Sequence, residues 1–317
     1  MAKIIQWSGN IITEPGIYKD VPLDLYHSSE LFGGVPSISS SGLRSIFNPS
    51  APQPASPAHY WAKSAYNPDR ADEDADEKKS FVMGRALHHL VGAQRGFKEL
   101  FVVRPVKLPD IGERIAKPWQ GNRTACKEWM KAQKEAGRSV LTPEDVEKLE
   151  GMAISLGKHP LVASLSGQIE HSYFWRDKET GIWLKWRPDS TPTDSADFVD
   201  LKGTQDVRWH KLMLAISQYG YHMQGALGRV ACRELLGREM NSFSLFFIEW
   251  KEPWCTSFVP LLDKDLVLGE RMNRAALRTF WQCWKDKSWP GPEESNAIGI
   301  TDRAREDAIN QLHQMGL

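Results

Sequence analysis

Apolar residues recur along this chain with two different spacings, and the change from one to the other divides it. Up to about residue 160 the repeat is helical. SSSGLRSIF (39–47) places serines ahead of apolar positions spaced as on a helix. SPAHYWAKSAY (56–66) repeats the signal, with Ser56 as cap and Pro57 in the first turn, where a missing N–H costs nothing. FVMGRALHHLVGAQRGF (81–97) is apolar at helical spacing, and Phe81, Leu87, Leu90 and Val91 are expected to face a core. Gly84 and His88 stand four apart, on one face. TACKEWMKAQKEAG is a more polar helix, and TPEDVEKLEGMAISLGKH opens on Thr142, Pro143 and Asp145, an N-terminal signature. Residues 1–35 show no strong period and suggest short strands or loops.

The middle of the chain changes to a strand-like pattern. IEHSYFW, RDKETG and IWLKWRPD read as strand, turn, strand, and DFVDLKG as a third strand after a polar linker. Residues 207–237 are helical in composition but interrupted near Gly220. SFSLFFIEW and CTSFVPL predict a second hairpin across KEPW, and residues 263–289 a long helix stopped by WPGP. The last fifteen residues suit a short helix. Helices, three strands, a helix, two strands and a helix predict an α/β core with an N-terminal helical elaboration.

Successive side chains of a strand point to opposite faces. Asp200 and Lys202 therefore share one face of DFVDLKG, while Val199 and Leu201 take the other. Asp189 ends the preceding strand, and if the two strands are neighbours it converges on Asp200. Such a set is either an ordinary solvated hairpin or a hard-cation site with a lysine beside it, since two carboxylates suit Mg²⁺. Lysine there would orient a water or neutralise charge developing on a phosphate. His88 on its helix reads as a structural residue or a ligand. Glu170 reads as a surface acid, and Tyr221 and Gln224 as an ordinary helix face.

Composition narrows the class. With 317 residues, 41% hydrophobic and 25% charged, the balance is globular. Forty basic and forty acidic residues cancel, which argues against coating nucleic acid through overall basicity and leaves room for a local basic groove. ADEDADE (71–77) is expected as a solvated loop. Cys126, Cys232, Cys255 and Cys283 contain no C-x-x-C pair and are expected to be buried free thiols. No run approaches the length of apolar sequence that spans a bilayer, and the first residues are not a signal peptide, so a cytosolic setting is expected.

In this order the motifs resemble the P-D-(D/E)-x-K nuclease superfamily, most nearly its RecB-like branch and the RecE-type exonuclease (exodeoxyribonuclease VIII) of phages and prophages. SISSSGLRSI with SPAHYW resembles that family's N-terminal entry, and FVMGRALHHLV its histidine motif. IEHSYFW, GIWLKWRPD and FVDLKGT resemble its metal-binding hairpin and strand, and YGYHMQGAL the helix after its lysine. The likeness runs from about residue 27 to 262. It implies a P-D-(D/E)-x-K core, a central mixed sheet flanked by helices, in one exonuclease domain: elaboration 1–79, core 80–262, C-terminal helices 263–317. It implies Asp189 and Asp200 as metal-binding carboxylates, Leu201 next to Asp200 as a further metal contact, and Lys202 as the catalytic lysine. His88 would be an added ligand, Glu170 an acid near a second metal, and Tyr221, Gln224 and Arg208 residues that hold DNA or the site.

The implied activity is metal-dependent 5′→3′ digestion of linear double-stranded DNA, using two Mg²⁺ per site with Mn²⁺ as a substitute. The 3′ tails would pass to a RecT-like single-strand annealing protein in a bacterial host cytosol. A homo-oligomeric ring is also implied, a tetramer before a trimer, with Lys117, Arg123, Lys127 and Arg208 as candidates for its basic channel and the acidic block 71–77 outside it. One departure stands out: related nucleases often carry Tyr four residues after the Gln, where this chain has Gly228. Alternatives are a single-strand or structure-specific nuclease of the same superfamily, a catalytically silent scaffold on DNA ends, or a plain structural protein.

Overall fold

The chain begins with β1 (Ile4–Gln6) and β2 (Gly16–Lys19), a short helix α1 (Leu23–His27), and β3 (Ser37–Ser39) running directly into α2 (Ser40–Ile46). In this computed structural model the described residues are 4–71, 79–91, 96–112, 114–169, 171–193, 195–292 and 302–315. Beyond Ala71, the acidic block expected as a solvated loop lies outside them. Helix α3 (Pro57–Trp61) is capped by Ser56, whose side chain accepts the His59 N–H, and it is shorter than its sequence suggests.

Helix α4 (Lys79–Val91) buries Val82, Met83, Ala86 and Leu87. Two residues expected in the core are not there: Phe81 is 63% and Leu90 40% exposed. The reason is helical phase. Phe81 and Leu90 lie on opposite sides of the cylinder, and the pairs 82–83 and 86–87 form the continuous stripe. The following segment holds elements with weak sequence signals: α5 (Phe97–Leu100), β4 (Phe101–Val103), and the hairpin β5 (Lys107–Pro109) and β6 (Ala116–Pro118). Then come α6 (Thr124–Glu135), β7 (Ser139–Leu141) and α7 (Pro143–Gly157). Helix α7 opens on a reciprocal capping box between Thr142 and Asp145. Asp145 also pairs with Lys79 at 2.9 Å, tying the start of α4 to it.

The strand-rich centre is β8 (Ser172–Arg176), β9 (Trp183–Trp186) and β10 (Asp197–Thr204). A pair of helices follows, α8 (Trp209–Gln218) and α9 (Tyr221–Ala231). Gly220 separates them with a φ of +62°, a left-handed conformation that glycine adopts without a Cβ penalty. β11 (Ser242–Glu249) and β12 (Thr256–Pro260) form the expected antiparallel hairpin, and α10 (Asp263–Asp286) and α11 (Asp302–Gln314) end the chain.

Two principal sheets result, in orders β1-β2-β8-β9-β3 and β10-β11-β12. The sequence reading made β9 and β10 possible neighbours. They lie in different sheets, and β10 is an edge strand whose ladder partner is β11, in parallel register. Strands β8 and β9 are covered on both faces, so Tyr173, Phe174, Trp183 and Trp186 are all fully buried and the run reads as continuously apolar. Strand β10 divides its side chains as alternation predicts. Val199 and Leu201 pack with α4 and α7 residues in one core, while Phe198 belongs to the core shared with α2, α9 and α10. All four cysteines are free thiols; Cys126, Cys232 and Cys283 are buried, but Cys255 is exposed, because it sits in the turn before β12. No helix among the described residues is long and apolar enough to cross a membrane.

Candidate active site

Edge position shapes the site. A strand that ends a sheet leaves every second N–H and C=O without a ladder partner. On β10 the Leu201 N–H is met by a side chain instead: Asp189 Oδ2 accepts it at 2.7 Å. Asp189 lies three residues past the end of β9, so the loop, and not the strand, brings its carboxylate across the gap between the sheets. The other oxygen, Oδ1, faces His88 Nδ1 at 3.1 Å. These two side chains are recessed yet still open to solvent, at 30% and 27% exposure. His89 points elsewhere and packs its ring against Phe101, centroids 5.6 Å apart, so Gly84 to His88 is the spacing that reaches the site.

Asp200 lies deeper, 1% exposed. Its Oδ1 accepts Gln224 Nε2 from α9 at 2.8 Å. Its Oδ2 is pressed against the Lys202 ammonium as an ion pair. Lys202 Nζ in turn lies 5.1 Å from the centroid of the Tyr221 ring. The structure therefore brings His88, Asp189, Asp200, Leu201, Lys202, Tyr221 and Gln224 together. It does not bring Arg208, which lies beyond the end of β10 with its guanidinium on Asp206. Glu170 lies outside the described residues.

The departure at Gly228 has a steric cause. A Cβ on this residue would run into the indole of Trp186. That large ring, fully buried behind β9, occupies the space a tyrosine would need. Tyr221, two turns earlier on α9, supplies the aromatic face beside Lys202.

Charge is concentrated here. Burial pushes the Asp189 carboxyl up, but His88, Lys202 and the Leu201 N–H outweigh it and hold it down at about 2. Burial and the neighbouring Asp189 charge push Asp200 above the usual carboxylate range, with Lys202 opposing them. Burial pulls His88 down, and Asp189 reverses this so that the imidazole holds its proton more tightly than usual. Lys202 is likewise raised, because Asp200 and Asp189 outweigh its desolvation. Two carboxylates with opposed shifts in one recess are the pattern of a site built around charge.

The recess opens into a groove of about 1390 Å³. Asp189, His88, Leu201 and Gln224 form part of its wall, and Arg44, Arg85, Lys185 and Arg187 supply positive charge to it. Residues 39–299 match the sequence family described as PDDEXK-like domain of unknown function (DUF3799). The chain belongs to this PDDEXK-like family. Its fold is similar to that of a crystal structure from Eubacterium rectale, provisionally described as an exonuclease. That match has a TM-score of 0.58 at 14% identity, over 89% of this chain and 95% of the other. At that identity the likeness speaks for the fold. No curated protein matches the sequence.

Does a PDDEXK-like site made of these residues suit a metal ion? Among the described residues, no three His, Cys, Asp or Glu groups stand as a ready-made cage. The donor set is two carboxylates, one of them charge-paired with Lys202, and the backbone carbonyl of Leu201. A strand residue's C=O points to the same side as its N–H, so the Leu201 carbonyl shares the edge that Asp189 faces. This set fits a hard, water-retaining cation such as Mg²⁺, which takes one or two carboxylates, better than a closed four-ligand zinc cage.

The four residues expected in a ring's basic channel are not in this groove: Lys117 and Arg123 are held by Asp110, Arg208 by Asp206, and Lys127 is an exposed residue of α6. The groove's own cations were overlooked, although one signal was available. Lys185 is a lone charge inside the apolar run IWLKW. It is buried with its ammonium donating to the Tyr26 carbonyl at 2.7 Å, and desolvation pulls it down to about 8. Arg44 donates to the Tyr219 carbonyl at 2.6 Å, and Arg187 to the Val21 carbonyl at 2.9 Å.

Proposed function

We propose that this chain is a metal-dependent exonuclease that degrades linear double-stranded DNA in the 5′→3′ direction. The observation that carries the reading is the Asp189–Asp200 pair with Lys202 against it, opening into a groove to which Arg44, Arg85, Lys185 and Arg187 bring positive charge. A fixed carboxylate pair holds divalent ions, and a cationic wall suits a phosphodiester backbone. Exonucleolytic action, polarity and a 3′-tailed product for an annealing protein rest on the RecE-type resemblance of the motifs. So does a homo-oligomeric ring, and with a net charge of zero only its channel would need to be basic.

Asp189, Asp200 and the Leu201 carbonyl would hold Mg²⁺, with Mn²⁺ as a substitute, and His88 and Glu170 would extend the set toward a second ion. When bound, the metal supplies Lewis-acid polarisation of the scissile phosphate and a lower pKa for an attacking water. The chain supplies the geometry. Gln224 fixes the rotamer of Asp200 on its strand, and the Leu201 N–H pins the loop carboxylate of Asp189 to the edge of that strand. Lys202 keeps a positive charge beside the carboxylates and would favour hydroxide there by charge and hydrogen bonding. Arg44 and Arg187, each already oriented by a backbone carbonyl, would face phosphate oxygens from the groove wall.

The test is digestion of linear duplex labelled separately at each end, with Mg²⁺ or with EDTA, beside a nicked circle and a single strand. Metal-dependent release of nucleotides from the 5′ label first is expected. Release from the 3′ label first reverses the polarity, and preference for the single strand moves the substrate class. Tight end-binding without cleavage under any metal makes the chain a scaffold.

A further inference from the structure

The last carbonyls of an α-helix have no partner inside it. At the end of α8 they are met by side chains from the N-terminal part of the chain. Arg44 of α2 donates to the Tyr219 carbonyl at 2.6 Å. Asn48, two residues past α2, donates its Nδ2 to the Gln218 carbonyl at 2.9 Å, with the Ser217 carbonyl at 3.4 Å. Asn48 is 5% exposed, and its Oδ1 accepts the Ser50 N–H at 3.2 Å, so both ends of the amide are engaged. The same two side chains press on the turn that follows. A Cβ on Gly220 would lie 2.7 Å from Arg44 Cδ and 3.3 Å from Asn48 Nδ2.

A short series of bonds leads from this turn to the carboxylates. The Gly220 carbonyl accepts the N–H groups of Met223 and Gln224, at 3.0 and 3.2 Å, and so starts α9. The Gln224 side chain then donates to Asp200 Oδ1 at 2.8 Å, and the Tyr221 ring lies beside Lys202. The body of α9 is fixed by the core, with Gly225 against Phe243 and Gly228 against Trp186 too closely for a Cβ. Its first turn carries the two site residues and takes its start from Gly220. We propose that Asn48 is a positioning residue for the metal site: it holds the end of α8, thereby sets the Gly220 turn, and through Gln224 sets the place of the Asp200 carboxylate. The inference rests on the nuclease reading and adds to it a residue of the N-terminal elaboration. The bonds of the Asn48 side chain go to backbone groups, and Asn48 is not among the described residues that line the groove, so its influence on the site passes through α9. Partners that orient a ligating carboxylate contribute about 10–100-fold to metal affinity or activity.

The test is a double-mutant cycle between Asn48 and Gln224 on the full chain, read by calorimetric titration with Mg²⁺ and by cleavage of linear duplex, well below the melting temperature of every variant. Gln224→Ala is expected to weaken Mg²⁺ binding about tenfold or more, and Asn48→Ala about three- to tenfold. The double variant should bind Mg²⁺ no more weakly than Gln224→Ala alone, because Asn48 acts through that side chain. Asn48→Ala should lower kcat and leave KM for DNA within about twofold of the parent. Asn48→Ser keeps an acceptor for the Ser50 N–H but falls short of the Gln218 carbonyl, so it should behave like alanine, and it carries the cycle if alanine does not fold. Full additivity in the double variant overturns the proposal, since Asn48 would then only stabilise the fold. Unchanged Mg²⁺ affinity in the Asn48 variants overturns it as well, and so does failure of both to fold, which would make Asn48 a residue of the core alone. If the parent binds Mg²⁺ and cuts DNA while the cycle is additive, only this inference fails. If the parent neither binds Mg²⁺ nor cuts, the nuclease reading fails with it.

Discussion

Asp189 Oδ2 accepts the backbone N–H of Leu201 at 2.7 Å, so a loop carboxylate occupies the place of a missing strand partner at the edge of β10. One side chain thus does two things. It satisfies an edge donor that would otherwise face the groove, and it sets a negative charge beside Asp200. The second role depends on the first, because the hydrogen bond fixes where the charge lies.

The two roles separate by substitution. Asp189→Asn keeps an acceptor for the Leu201 N–H and removes the charge, whereas Asp189→Ala removes both. Both variants lose the ion pair with His88 and should be less stable than the parent in metal-free buffer, and alanine should fall below asparagine by about 1–2 kcal/mol, the cost of an unmet backbone donor. Both should lose stabilisation by added Mg²⁺. Thermal melts with EDTA and with Mg²⁺ measure this, and equal metal-free stability of the two variants would show that the hydrogen bond contributes nothing.

The His88–Asp189 pair gives a pH window. His88 is raised above its ordinary value, so its contribution is complete below about 6.5 and fades as pH rises through the raised value. Asp189 is held at about 2, so its contribution is complete above the ordinary carboxylate value near 4 and is lost as pH falls toward 2. The destabilisation caused by His88→Ala in EDTA should thus be largest at roughly pH 5 to 6 and shrink on either side. A difference in melting temperature that keeps growing above pH 8 contradicts the pairing.

Gly228 provides a test of packing rather than charge. A Cβ there meets the Trp186 indole, which is buried behind β9 and has no room to swing. Gly228→Ala should cost about 1–3 kcal/mol by overpacking, although alanine is the better helix former. Urea unfolding monitored by tryptophan fluorescence measures it. A more stable variant would mean that helix propensity outweighs the clash.

The parts of this site visible in the sequence are those set by period. Alternation placed Asp200 and Lys202 on one face of β10 and Val199 and Leu201 on the other, and the structure has them so. His88, Tyr221 and Gln224 came from the family resemblance, since spacing alone leaves them as a structural histidine and an ordinary helix face. What period does not encode is which ladder a strand joins. Strands β9 and β10 look like neighbours along the chain, yet they belong to different sheets and communicate through the Asp189 side chain. The groove's cations were obscure for a related reason. Arg44, Lys185 and Arg187 belong to separate elements and meet only after folding, whereas the basic residues that cluster between 114 and 138 include Arg123, neutralised locally by Asp110.

Asp200 and Lys202 bear on the chemistry itself. Asp200 holds its proton more tightly than an ordinary carboxyl, and so does the His88 imidazole, so a cation entering the site must compete with protons at both. The apparent affinity for Mg²⁺, read from the rise in melting temperature, should therefore strengthen as pH increases from 6 toward 8. Asp200→Ala should abolish that rise at every pH. Lys202→Ala removes the cation that favours ionised Asp200, so it should keep a metal response weakest at low pH. Each variant should lower DNA cleavage by roughly a hundredfold or more, in the range expected for a lost charge-stabilising group, while far-ultraviolet circular dichroism stays that of the parent. Cleavage by purified Asp200→Ala at the parent's rate would remove this carboxylate from the reaction, and with it the reason for placing a metal at the edge of β10.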